Sequence, residues 1–174
     1  MKRLFTLALL ATGLMTGISA HAQEDKSKRV SPPVHVQQEL KKGTIVTIDY
    51  SQPSVKGRSI GKDLEPKDGQ VWRTGANEAT VFETNTDINI NGKPLPAGKY
   101  SMFTLFEGNT VTIIFNKTWS QWGAFKYNSA DDQLRVQTKV GNSSVMAEKM
   151  TIDITPDGKV LLLWGGKKVV FTID

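Results

Sequence analysis

From Val34 to the C-terminus, apolar residues recur at every second position and almost nowhere at helical spacing. That rhythm fixes more about the fold than any other property of the chain. Val46, Ile48 and Tyr50 share one face of a segment that follows Lys42-Gly43, and Thr80, Phe82 and Thr84 share another. Tyr100, Met102, Thr104 and Phe106 alternate with Ser101, Phe103 and Leu105, and Val111, Ile113 and Phe115 continue the core face. Further stripes are Leu134, Val136, Thr138 and Val140, then Met150, Ile152 and Ile154, then Val169, Phe171 and Ile173. Turn signals separate them. Ile88 and Ile90 run into Asn91-Gly92, a strong hairpin signal. Pro156-Asp157-Gly158 turns the chain because proline presets one dihedral and glycine admits positive φ. Gly165-Gly166 reads as another turn, and the unbroken apolar run 160–164 as a strand buried on both faces. A helical turn fits only within 117–133. The pattern predicts an all-β protein: one antiparallel β-sandwich or jelly-roll-like domain of about nine or ten strands, spanning residues 34–174.

The N-terminus reads as an export signal. Lys2 and Arg3 precede an uncharged apolar stretch at 4–18, and Ala20-His21-Ala22 has the small-x-small form of a signal-peptidase site. Cleavage after Ala22 would leave Gln23 first and place the protein in the periplasm or outside the cell. The stretch is too short, and too broken by Gly13 and Gly17, for a membrane span. Residues 23–33 are polar and end in Ser31-Pro32-Pro33, which predicts a flexible leader. Removing 22 residues from 174 leaves 152, enough for one well-buried core. The 22 basic residues fall to 20 against 17 acidic, a net charge of +3. These charges are dispersed, without a basic stripe interleaved with aromatics, which argues against nucleic acid as partner. Nothing in the pattern specifies an oligomeric state.

The chain contains no cysteine. Disulfides, thiolate metal sites, cysteine nucleophiles and a lipoprotein anchor are excluded with it. Beyond the signal there is one histidine, His35, with no partner spacing and no Gly-x-Ser-x-Gly elbow to suggest a hydrolase triad. A histidine zinc site cannot be built from it. Asp131 and Asp132 are adjacent but lack the Asp-x-Asp-x-Asp-Gly form of a calcium loop. No metal ligand set, cofactor motif or catalytic residue is therefore assigned.

Two segments carry residues that a sheet does not need. Trp72-Arg73-Thr74-Gly75-Ala76-Asn77-Glu78 packs an indole, a guanidinium, an amide and a carboxylate into seven positions. Its glycine allows a tight turn whose N–H groups, with Arg73, could receive an anion; alternatively Arg73 pairs internally with Glu78 while Asn77 satisfies a buried turn. Thr118-Trp119-Ser120-Gln121-Trp122-Gly123-Ala124-Phe125-Lys126-Tyr127 holds four rings. Exposed, they would stack on sugars or apolar ligands; buried, they would plug one end of the sandwich.

Taken in order, Ser51-Gln52-Pro53-Ser54-Val55-Lys56-Gly57-Arg58, the run from Val71-Trp72-Arg73 to Ala79-Thr80, Leu95-Pro96-Ala97-Gly98-Lys99-Tyr100, Ile114-Phe115-Asn116 and Gln121-Trp122-Gly123 resemble a secreted bacterial family frequent in Bacteroidetes, catalogued as domain of unknown function 2911. The similarity runs from about Ser31 to the C-terminus. It implies an exported β-rich domain and brings no activity, ligand or catalytic residue to transfer.

The functional expectation is thus a non-catalytic binding module for a glycan or a small polar or anionic ligand. Arg73, Asn77 and Glu78 would fix polar groups, and Trp72, Trp119 and Trp122 would stack. Two alternatives stand beside it. One is a glycosidase-like hydrolase using Glu78 with Asp131 or Asp132 at about 5–9.5 Å. The other is a structural or protein-interaction domain in which both segments are scaffold. What separates them is whether the two segments meet around one concavity.

Overall fold

The computed structural model describes residues 25–174, so the expected signal peptide at 1–22 lies outside the described residues. Ten strands follow in order: β1 Pro33–Glu39, β2 Ile45–Ser51, β3 Val71–Trp72, β4 Ala76–Thr84, β5 Ile88–Ile90, β6 Lys93–Leu95, β7 Gly98–Glu107, β8 Thr110–Asn116, β9 Asp132–Ile154 and β10 Lys159–Thr172. Every pairing among them is antiparallel, and the fold is all-β as its period-two pattern requires. The large sheet runs β1-β2-β4-β7-β8-β9-β10, and β3 also pairs with β7. β5 and β6 form a separate hairpin turned by Asn91-Gly92, which joins the end of β10 through an Ile90–Ile173 bridge.

The large sheet curls so that its inner face encloses one core. Val46 and Ile48 of β2, Phe82 of β4, Met102 of β7, Val111 and Phe115 of β8 and Trp164 of β10 all lie in it at 1 % exposure or less. Phe115 sits at its centre, edge-on to Phe82 at 5.0 Å and to Phe171 at 6.3 Å between ring centroids. The second half of β9 returns towards β2, where Met150 N–H donates to Pro53 O and Val55 N–H to Glu148 O.

Three strand-level expectations change. The stripes at 134–140 and 150–154 belong to one 23-residue strand, β9. Gly165-Gly166 does not turn the chain; it sits at register shifts inside β10, where that long strand bends against β9. Lys167 and Lys168, which follow that glycine pair, therefore lie within a strand opposite Asn142 and Gly141. The run 160–164 alternates between buried and half-buried, whereas β7 and β8 are the strands buried on both faces. The reason is a cover: Ala79, Phe103 and Ile114 form a second cluster on the outer face, closed by Ala124 and Tyr127 of the aromatic segment. The helical turn expected within 117–133 is a 3-10 turn at Ser129–Asp131, capped by the Asn128 side chain.

Pro156-Asp157-Gly158 makes the β9–β10 hairpin. Gly158 has φ +82°, and a Cβ there would fall 2.2 Å from Ile173 O, so both dihedral and space demand glycine.

Candidate functional site

β3 and β4 pair with the same edge of β7, and this places the first unusual segment. Trp72 lies opposite Thr104 and Thr80 opposite Met102. Residues 73–79 therefore leave the β7 ladder as an excursion between two nearly adjacent positions, and touch β2 where Ala76 pairs with Ser51. Its neck is closed by Thr80 N–H donating to Arg73 O (3.1 Å) and by the Thr80 hydroxyl donating to Thr74 O (2.8 Å). Thr74 is fully buried, meets the Thr104 hydroxyl at 3.1 Å, and holds φ +56°, a strained value for a β-branched residue. Gly75 packs so closely under β2 that a Cβ would stand 3.0 Å from Ser51 O and 3.2 Å from Thr80 Oγ1. Trp72 is 2 % exposed, and its indole N–H donates to Gly75 O at 3.0 Å. Trp72 is thus the rivet of this excursion, and its ring is not presented for stacking as expected.

The excursion meets the aromatic segment directly. Ala79 N–H donates to Gln121 O, Gly123 N–H donates to Asn77 O (both 3.0 Å), and Glu78 bridges Trp122 in a short antiparallel contact. The two segments do converge. They border an open groove of about 650 Å³ on the outer face of the sheet. Its floor carries His35, Asp49 and Glu78; Trp119, Gln121 and Trp122 form a wall, with Lys26 at the rim.

The aromatic segment splits between burial and exposure. Tyr127 plugs the outer cluster, edge-on to Phe103 at 5.0 Å. Its hydroxyl donates to Asp132 Oδ2 at 2.6 Å, and burial followed by this bond pushes its pKa up to about 12. Trp119 and Trp122 instead remain 46 % and 56 % exposed. A cation steadies each: Lys99 Nζ lies 4.9 Å from the Trp119 ring centroid, and the Arg29 guanidinium 5.9 Å from that of Trp122.

Glu78 is fixed by residues the sequence did not mark. Lys26 Nζ donates to its Oε1, and Arg29 Nη1 to both carboxylate oxygens, each at 2.9 Å. Burial alone would raise its pKa; the hydrogen bonds from Lys26 and Arg29 outweigh that and hold it at about 2. Asn77, at φ +55°, donates its amide to Ser31 O. The segment before β1, expected as a flexible leader, thus carries a 3-10 turn at Lys26–Lys28 and anchors three ways to the excursion. The expected alternative of an internal Arg73–Glu78 pair does not form. The chain turns at Thr74 and Asn77, sending Glu78 into the groove and Arg73 towards a second cleft of about 330 Å³ beside Arg58, Lys67 and Trp164.

Of the six residues expected to bind, Glu78, Trp119 and Trp122 share the groove, Trp72 and Arg73 border the second cleft, and Asn77 lines neither. Asp131 and Asp132 also line neither. Asp132 is occupied by Tyr127, by Asn116 Nδ2 at 2.8 Å and by Arg135 Nε at 3.2 Å. The groove's other carboxylate is Asp49, which meets His35 Nδ1 at 2.6 Å. His35 and Asp49 face each other in the β1–β2 ladder, so only the strand register could have revealed them. Among the described residues no group of three or more histidine and acidic side chains is placed to hold a metal ion, and no helix is long and apolar enough to cross a membrane.

No curated protein and no solved structure matches the chain. A family model does, over residues 31–173, and it covers both segments, the groove floor and the whole sheet. The chain belongs to the family described as protein of unknown function DUF2911.

Proposed function

We propose that the protein is a non-catalytic binding module, acting after export and removal of residues 1–22, whose outer-face groove takes a glycan. The observation that carries this is the pair of half-exposed tryptophans, Trp119 and Trp122, in a groove that also carries the polar side chains of His35, Asp49 and Glu78. Indole faces offer area to the C–H faces of sugar rings. Glu78 and Asp49 supply acceptors, and Lys26 and His35 donors, for hydroxyl groups at the ring edge. Gln121 adds a buried carbonyl oxygen with no hydrogen-bond partner among the described residues, so the wall retains unused acceptor capacity.

The charge arrangement favours binding over hydrolysis. A general acid needs a raised pKa, yet Glu78 is held at about 2 by two cations. The carboxylates considered as its partners, Asp131 and Asp132, do not line the groove.

Titration calorimetry against a panel of neutral and acidic oligosaccharides tests the proposal. A ligand is expected whose affinity falls at least about tenfold when Trp119 and Trp122 are both replaced by alanine, a loss of about 1.4 kcal/mol or more. Equal affinity in wild type and the double variant, or no binding across the panel, would overturn it. Release of reducing ends by the wild type would return the hydrolase reading.

A further inference from the structure

The second cleft has no part in the glycan groove, and its contents are unusual. Arg73 lies mostly below the surface, and its Nε–H is buried with no hydrogen-bond partner among the described residues. Burial depresses its pKa, and Glu65 supports the charge only through space, since the Glu65 carboxylate accepts from Lys67 N–H at 2.9 Å. A guanidinium taken out of water without an acceptor is costly, and such groups are usually paired. Several polar groups around it already have partners. Arg58 donates through Nε and Nη2 to Val55 O and Ser54 O, and Asp63 accepts from Ser59 N–H. Lys67 stays exposed at the edge, and Arg73 is the cation set below the surface with donor capacity to spare.

From this geometry we infer that the cleft is a binding site for a small organic carboxylate, held by Arg73. The lining gives three cations, Arg58, Lys67 and Arg73, against two carboxylates, Asp63 and Glu65. That net single positive charge suits a monoanion, and the two acids would oppose a phosphate dianion. The planar guanidinium matches the two oxygens of a carboxylate in a fork. Val30, Pro53 and Leu64 provide an apolar border for the ligand's body. The volume of about 330 Å³ lies at the low end of the roughly 300–1,000 Å³ typical of small-molecule sites. The site is also well braced. The Trp164 indole N–H donates to Glu65 O at 2.7 Å, and the Arg73 carbonyl closes the neck of the excursion.

Benzoate, acetate, inorganic phosphate and chloride at matched ionic strength serve as probes, read by NMR of the arginine Nε–H signals and by thermal shift. Benzoate is expected to move the Arg73 Nε–H signal saturably and raise Tm, acetate to do so more weakly, and chloride not at all. Arg73→Lys, which keeps the charge but loses the fork, should weaken benzoate about tenfold or more. The Trp119→Ala/Trp122→Ala variant should bind benzoate as wild type does, which separates this site from the groove. No saturable shift of Arg73 in the wild type overturns the inference, and so does benzoate binding unchanged by Arg73→Lys. A stronger response to phosphate than to either carboxylate overturns the assigned ligand class. If Arg73→Lys fails to fold, the wild-type Arg73 signal decides alone.

Discussion

Trp72 and Trp122 stand at opposite ends of one contact system, and they have opposite fates. Trp72 is 2 % exposed, hydrogen-bonded at its indole nitrogen and packed 6.4 Å from Phe106. Trp122, joined to the same excursion through Glu78, is 56 % exposed and carries a cation over its ring. An indole that is riveted at both face and nitrogen serves the scaffold. One held by a cation while its surface stays wet is available to a ligand. The difference lies in the partners rather than in the residue.

The largest effect should come from breaking the rivet. Trp72→Ala is expected to cost about 3–5 kcal/mol, because it removes a fully buried ring and orphans Gly75 O. Urea unfolding would measure this, and a cost below about 1 kcal/mol would erase the distinction from Trp122. Gly75→Ala comes next, at about 1–3 kcal/mol. Its new methyl meets Ser51 O, a backbone atom of a central strand that cannot rotate away.

These two residues also mark how far the sequence could be read. Period-two alternation identified the strands because inward and outward side chains of a curled sheet differ in solvent contact, and that difference is local. The second segment's double role was legible as two alternatives, since rings at such spacing suit either burial or stacking. What decides between them is long-range. Arg29 and Lys26 reach Glu78 across 49 and 52 residues, and nothing near them in the chain signals it. The continuity of β10 is hidden because Gly165-Gly166 looks the same at a bulge as at a turn, and only pairing with β9 distinguishes them. Arg73 stands out in the sequence, but its separation from Glu78 depends on the backbone turns at Thr74 and Asn77.

The leader's hold on the excursion predicts a pH dependence. Glu78 is held at about 2 in the folded protein against its ordinary 4.5, so folding favours the ionised form. Its contribution is complete above about pH 5 and is lost as pH falls towards 2. Glu78 is 36 % exposed, so solvent screening limits the effect to about 1 kcal/mol rather than the full value of the shift. Stability curves of wild type and Glu78→Gln should therefore lie about 1 kcal/mol apart at pH 6 and converge near pH 2. Parallel curves would mean that Lys26 and Arg29 do not clamp this carboxylate in solution. High salt should narrow the gap at pH 6 by screening the same contacts.

The smallest stability change is expected at the other tryptophan. Trp122→Ala removes a half-exposed ring and one cation–π contact, worth about 0.5 kcal/mol at an exposed position. The backbone contact to Glu78 and the Gly123 N–H bond to Asn77 O do not involve the side chain and should persist. Urea unfolding should then barely distinguish this variant from wild type, even as the glycan affinity proposed for the groove falls. A loss approaching that of Trp72→Ala would show that the ring supports the excursion from outside as Trp72 does from within. In that case the groove wall would be scaffold, and the contrast between the two tryptophans would collapse. A silent change in stability with lost binding is the outcome that a ring retained for a ligand requires.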